Sequence, residues 1–203
     1  MSAIQTLVGR LVVMLVLVLP ASAVLAQGPS YSFAEAGLAL YPNFESERVI
    51  GADFRASKAL STEYFAFGGF KALAGDVEVN ALHAGAGYRR PLDHRTDVWA
   101  GLTAEYQDIQ VESCQTVTFP NTRTVCNDVG SDDIAPGLRG GLRRQVHRDL
   151  QLGASARLIT GDLDYVGLRA TARYRWQRNI HVLAEADFYD GNFGLIGGLS
   201  VPF

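Results

Sequence analysis

Between residues 31 and 203 apolar side chains recur at every second position. In Thr96–Gln107, Val98, Ala100, Leu102, Ala104 and Tyr106 alternate with Asp97, Trp99, Gly101, Thr103, Glu105 and Gln107. In Tyr165–Trp176, Val166, Leu168, Ala170, Ala172, Tyr174 and Trp176 alternate with Gly167, Arg169, Thr171, Arg173 and Arg175. The last eleven residues keep the rhythm with Phe193, Leu195, Gly197, Leu199, Val201 and Phe203. A period of two is the signature of a strand with one apolar and one polar face. Followed along the chain, it predicts ten strands at 31–41, 47–57, 63–73, 77–89, 96–108, 133–145, 150–160, 164–176, 180–190 and 193–203. The third, EYFAFGGFKAL, alternates poorly; if it is misread, an eight-strand barrel is the alternative.

Strands of about 9–11 residues suit a tilted membrane crossing. The predicted fold is all-β: an antiparallel up-and-down transmembrane β-barrel of about ten strands. An even count places both termini on the same side. Residues 58–62, 90–95, 146–149 and 177–179 are then the short turns of that side. Residues 42–46, 74–76, 109–132, 161–163 and 191–192 are loops on the other. The apolar face is assigned to lipid, where a charge near the midplane would cost about 2–4 kcal/mol. The aromatic residues of that face sort by end. Tyr88, Tyr174, Trp176 and Phe203 fall at the terminal side, and Tyr106, Phe188 and Phe193 at the other, as two interfacial girdles would.

The beginning of the chain agrees. Arg10 precedes the apolar run Leu11–Leu19, and small residues follow at Ala21, Ala23 and Ala26. The run is too short to span a bilayer as a helix and reads as an export signal, residues 1–26, cleaved after Ala26. That leaves one barrel domain, 27–203, in the outer membrane of a Gram-negative bacterium. Loss of Arg10 takes the net charge from −3 to −4, which gives no electrostatic case for nucleic acid. Expected partners are outer-membrane lipids, lipopolysaccharide and the barrel assembly machinery, with Phe203 as the assembly signal.

Reversing the face assignment gives the interior. It would hold Glu35, Asp53, Glu105, Glu185 and Asp187 against Arg55, Arg139, Arg143, Arg157, Arg169 and Arg173. Buried charges must be paired to be tolerated, so these predict a lumen charge network. Such a network either plugs the barrel or gates a narrow pore for ions and small solutes. Cys114 and Cys126, the two cysteines, flank eleven residues. In an exported chain they predict a disulfide. The acidic stretch 109–132 around them predicts an external loop and a contact surface for a partner. No metal or cofactor is expected. Lipid-modifying catalysis is the least favoured role. His83 and His181 face inward by parity, as do Ser155 and Ser200, but no spacing joins a nucleophile to a base. The expected role is structural or surface contact in the envelope, with a gated porin-like channel as the alternative.

Two segments, YSFAEAGLAL (Tyr31–Leu40) and FAFGGF (Phe65–Phe70), resemble a family of small outer-membrane barrels from xanthomonads and their relatives. Members open with a Tyr-x-Tyr-x-Glu-x-Gly-like strand; here it is Tyr31-x-Phe33-x-Glu35-x-Gly37, so the second aromatic departs. More broadly the chain looks like the outer membrane protein A-like barrels. The resemblance implies fold and location, and it carries no catalytic residues.

Overall fold

A computed structural model describes residues 29–44, 47–75, 77–117, 123–162, 164–189 and 191–203, with the backbone alone for 47, 111–117 and 123–129. The expected export segment, 1–26, lies outside the described residues. Ten strands follow in order: β1 Phe33–Phe44, β2 Glu47–Ala59, β3 Tyr64–Ala74, β4 Val77–Pro91, β5 Thr96–Val117, β6 Arg123–His147, β7 Leu150–Ile159, β8 Tyr165–Gln177, β9 Ile180–Tyr189 and β10 Asn192–Pro202. Each pairs antiparallel with the next, and β10 pairs back to β1, so the sheet closes. Closure leaves no edge to pair with another chain along the barrel wall.

The closing seam has two glycines at its closest approach. Gly37 stands opposite Gly198, and a Cβ on Gly198 would lie 2.5 Å from the Gly37 Cα. Any larger side chain there would push β10 away from β1. At the β9–β10 turn Gly191 has φ 77°, a left-handed conformation that glycine adopts without steric cost. In the β4–β5 turn the Asp93 carboxylate accepts the Arg95 N–H at 2.6 Å. That bond holds Asp93 below the usual carboxylate range.

The poor alternation of β3 has a simple cause. Phe65 and Phe67 point inward with Lys71 and Leu73, while Phe70 points outward, so both faces are apolar. The strand is present, and the count is ten. The loop expected at 109–132 is absent as a loop. β5 and β6 continue as a paired ribbon to Val117 and Arg123. β5 outlasts its β4 partner at Val111, and β6 joins β7 only from Gly137. No third strand pairs with this ribbon among the described residues, so cross-strand hydrogen bonding between β5 and β6 carries it.

Outward positions form an apolar belt that includes Leu38, Leu102, Val166, Leu168 and Leu195; Leu102 is 70% exposed. Tyr64 joins the terminal-side girdle, its ring 5.4 Å from that of Tyr88. At the far end Phe188 and Phe193 face each other across β9 and β10, 5.2 Å apart. Phe203 is half-buried. Its N–H donates to the Ser32 carbonyl at 3.1 Å, and the Lys58 ammonium lies 5.2 Å from its ring centroid.

Candidate functional site in the barrel lumen

Inward side chains fill the lumen in three layers. The layer at the far end is apolar. Tyr41, Phe44, Tyr165 and Tyr189 gather with Val49, Leu73, Val79, Ile159 and Ile196, all buried. The Tyr165 and Tyr189 rings stand 4.7 Å apart, and those of Phe44 and Tyr189 stack at 5.9 Å. These residues come from strand ends, where the inward row changes from charged to apolar.

The middle layer is ionic, and Asp187 on β9 is its hub. Its carboxylate accepts the Tyr41 hydroxyl at 2.5 Å and the Lys71 ammonium at 2.7 Å. Arg157 reaches it at 3.0 Å and Arg169 at 3.3 Å. Asp187 is fully buried. A second hub is Arg55 on β2, which pairs Asp53 at 2.8 Å, Glu185 at 2.9 Å and Glu35 at 3.2 Å. Glu35 also takes Arg173 at 2.5 Å, tying β1 to β8 across the lumen. Arg139 and Glu105 make a bidentate pair at 2.7 and 2.8 Å. The planar guanidinium suits this: it makes two parallel bonds where an ammonium makes one.

The third layer closes the terminal end. Tyr31, expected to begin a strand, instead precedes β1 and turns into the barrel, where it is buried. Its ring lies 4.7 Å from Phe65. The guanidinium groups of Arg89 and Arg143 stand over it at 4.7 and 4.5 Å. Arg143 donates to the Ser30 carbonyl at 3.2 Å and Arg89 to the Pro29 carbonyl at 3.4 Å. Arg89 also pairs Asp97 at 3.3 Å. The N-terminal segment is thus held in the mouth as a plug.

All eleven lumen residues read from the sequence face inward, and ten make ion pairs: Glu35, Asp53, Arg55, Glu105, Arg139, Arg157, Arg169, Arg173, Glu185 and Asp187. Arg143 makes none with a carboxylate among the described residues. Sequence reasoning missed Lys71 and Tyr41, which complete the Asp187 hub, and the apolar layer beyond it. Lys71 has the inward parity of β3, but the doubly apolar strand hid that parity. His83 and Ser155 line one cavity, and no hydrogen bond joins them among the described residues. His94 sits in the β4–β5 turn, His181 stands opposite Arg175, and His147 lies 3.7 Å from Asp149. Cys114 and Cys126 are directly opposite in the β5–β6 register.

No protein-family model matches the sequence, and no curated protein does. Among solved structures, the KdgM porin is similar at 12% identity over 85% of this chain and 99% of that one, with a TM-score of 0.47. Ail, the attachment invasion locus protein of Yersinia pestis, is similar at 12% identity over 84% and 99%, with a TM-score of 0.46. Neisserial surface protein A is similar at 14% identity over 86% and 98%, with a TM-score of 0.43.

Proposed function

We propose that the protein is an outer-membrane barrel with a structural or surface-contact role in the bacterial envelope, its lumen closed. The observation that carries this reading is the filled interior. An apolar layer at one end, a salt-bridged layer in the middle and Tyr31 in the mouth at the other occupy the lumen. The apolar belt between aromatic girdles supports insertion in lipid. Residues 1–26 are the export signal, the termini lie in the periplasm, and Phe203 is read by the assembly machinery. The β5–β6 ribbon faces outward, toward lipopolysaccharide or a surface partner. The reading assigns no catalytic role, and it places the chain with the small barrels of xanthomonads and relatives.

Single-channel recording of the refolded protein in a planar bilayer tests it, after heat-modifiable gel mobility has shown that the barrel is folded. A folded, silent barrel is expected. Discrete, reproducible openings would replace this reading with the second one, a gated pore. One feature favours that second reading: Arg55 and Arg173 share Glu35, so the middle layer has partners to exchange.

The same reading includes a Cys114–Cys126 disulfide. Directly opposed residues of an antiparallel pair have Cα atoms about 4.5–5.5 Å apart, inside the range a disulfide spans. Reduction should shift the mobility of the unfolded chain and leave the folded barrel's mobility and unfolding midpoint unchanged, because the bridge sits in the ribbon beyond the wall. A barrel that unfolds on reduction would show that the ribbon supports the wall.

A further inference from the structure

A salt-bridged interior should come close to neutrality, and this one does not. The eleven lumen residues together with Lys71 carry seven cations against five carboxylates. Arg89 and Asp97 pair with each other and leave the difference unchanged.

The imbalance has a location. Arg143 on β6 has no carboxylate partner among the described residues, and its guanidinium lies 4.8 Å from the Phe33 ring centroid. Arg173 lies over the same ring at 5.2 Å, and its carboxylate, Glu35, is already shared with Arg55. Beside both opens a cavity of about 90 Å³, which Arg157 also lines. Gly153 keeps the space open: a Cβ there would come no nearer than 3.4 Å to any neighbour. Glu35 is the one carboxylate among the cavity's lining residues and is already bonded to Arg55 and Arg173; Phe67 and Trp99 line it as well.

Uncompensated guanidinium charge in a closed interior is costly. Water in the cavity would not neutralise the excess charge. A cavity of this volume has room for more than one water, and so for a small anion. We propose that the cavity is a binding site for a small anion of the carboxylate or phosphate type, held by the guanidinium groups of Arg143 and Arg173, which share the Phe33 ring. The site does not rest on the reading above: it stands whether or not the barrel conducts.

Trp99 lines the cavity, whereas the other tryptophan, Trp176, is exposed on the outer face. In a Trp176→Phe background Trp99 is therefore a reporter inside the site. The mature chain is folded into detergent micelles with iodide or caesium present from the start, at matched ionic strength, so that entry into a closed barrel imposes no delay. Iodide should quench Trp99 saturably and about tenfold more effectively than caesium, the scale by which a confined cationic wall concentrates counter-ions. Inorganic phosphate should relieve the quenching. Gly153→Leu, which fills the space, and Arg143→Gln should each lower the iodide constant several-fold in protein that retains heat-modifiable mobility. Equal quenching by both ions would overturn the proposal, as would no quenching of a folded barrel. Quenching that phosphate does not relieve would also overturn it, and this arm needs no variant to fold.

Discussion

Asp187→Asn is expected to destabilise the folded barrel by about 3–5 kcal/mol, the cost of leaving buried cations without their counter-charge. The substitution keeps the shape of the side chain and removes only its charge. Lys71, Arg157 and Arg169 all converge on that carboxylate, and Asp53 stands 4.0 Å from Lys71 and 3.8 Å from Arg169, too far to replace it. Lys71→Met alone should cost less, because Asp187 keeps two guanidinium partners. In the Asp187→Asn background, Lys71→Met should restore part of the loss by removing one orphaned cation. Urea unfolding in lipid vesicles, followed by far-UV circular dichroism, gives all three values and their coupling. A loss below about 1 kcal/mol for Asp187→Asn, the range of a solvent-screened pair, would mean that water reaches the layer and that the lumen is not closed.

The same residues show what could be read from the sequence. Asp187, Glu185, Arg169 and Arg173 lie on strands where one face is apolar and the other polar, so parity alone sends them inward. The ten strands are legible for the same reason: a wall between lipid and a packed interior imposes a period of two wherever its faces differ in chemistry. Where the faces do not differ, the signal fails. β3 turns Phe65 and Phe67 toward Tyr31 and Trp99 inside the barrel, so its inner face is as apolar as its outer one and Lys71 goes unnoticed. Residues 109–132 are the opposite case. The ribbon has no third strand paired to it among the described residues, its sequence shows no period of two, and two paired strands read as a loop. Tyr31 is a third kind of miss. It has the inward parity of Phe33 and Glu35, but it lies before β1, and Arg89 and Arg143 hold its ring in the mouth. That attraction depends on residues 58 and 112 positions away, which no local pattern contains.

The largest effect on the outer surface is expected from Leu102→Arg. Leu102 lies midway between Val98, near the terminal-side turn, and Tyr106 of the far girdle, and it is 70% exposed. In water an exposed leucine gains little from its surroundings, and replacing it with arginine would cost almost nothing. In a bilayer the same position is at the midplane, where an arginine costs about 2–4 kcal/mol. Ile134 supplies the comparison. It stands opposite Tyr106 in the β5–β6 register and is 74% exposed, but at interfacial depth, where the cost falls to about 0–1 kcal/mol. The two sites share exposure and side-chain size; they differ in depth, and Ile134 pairs on one side only. Unfolding measurements on both variants in lipid vesicles should therefore separate them by about 2 kcal/mol or more, with Leu102→Arg the less stable. Equal, small losses at both sites would remove the lipid-facing assignment of the belt, and with it the assignment of the charged row to a closed interior. A gradient in the expected sense would fix the height of the membrane on the barrel, and the acidic ribbon beyond Val111 would then stand clear of it on the outer side.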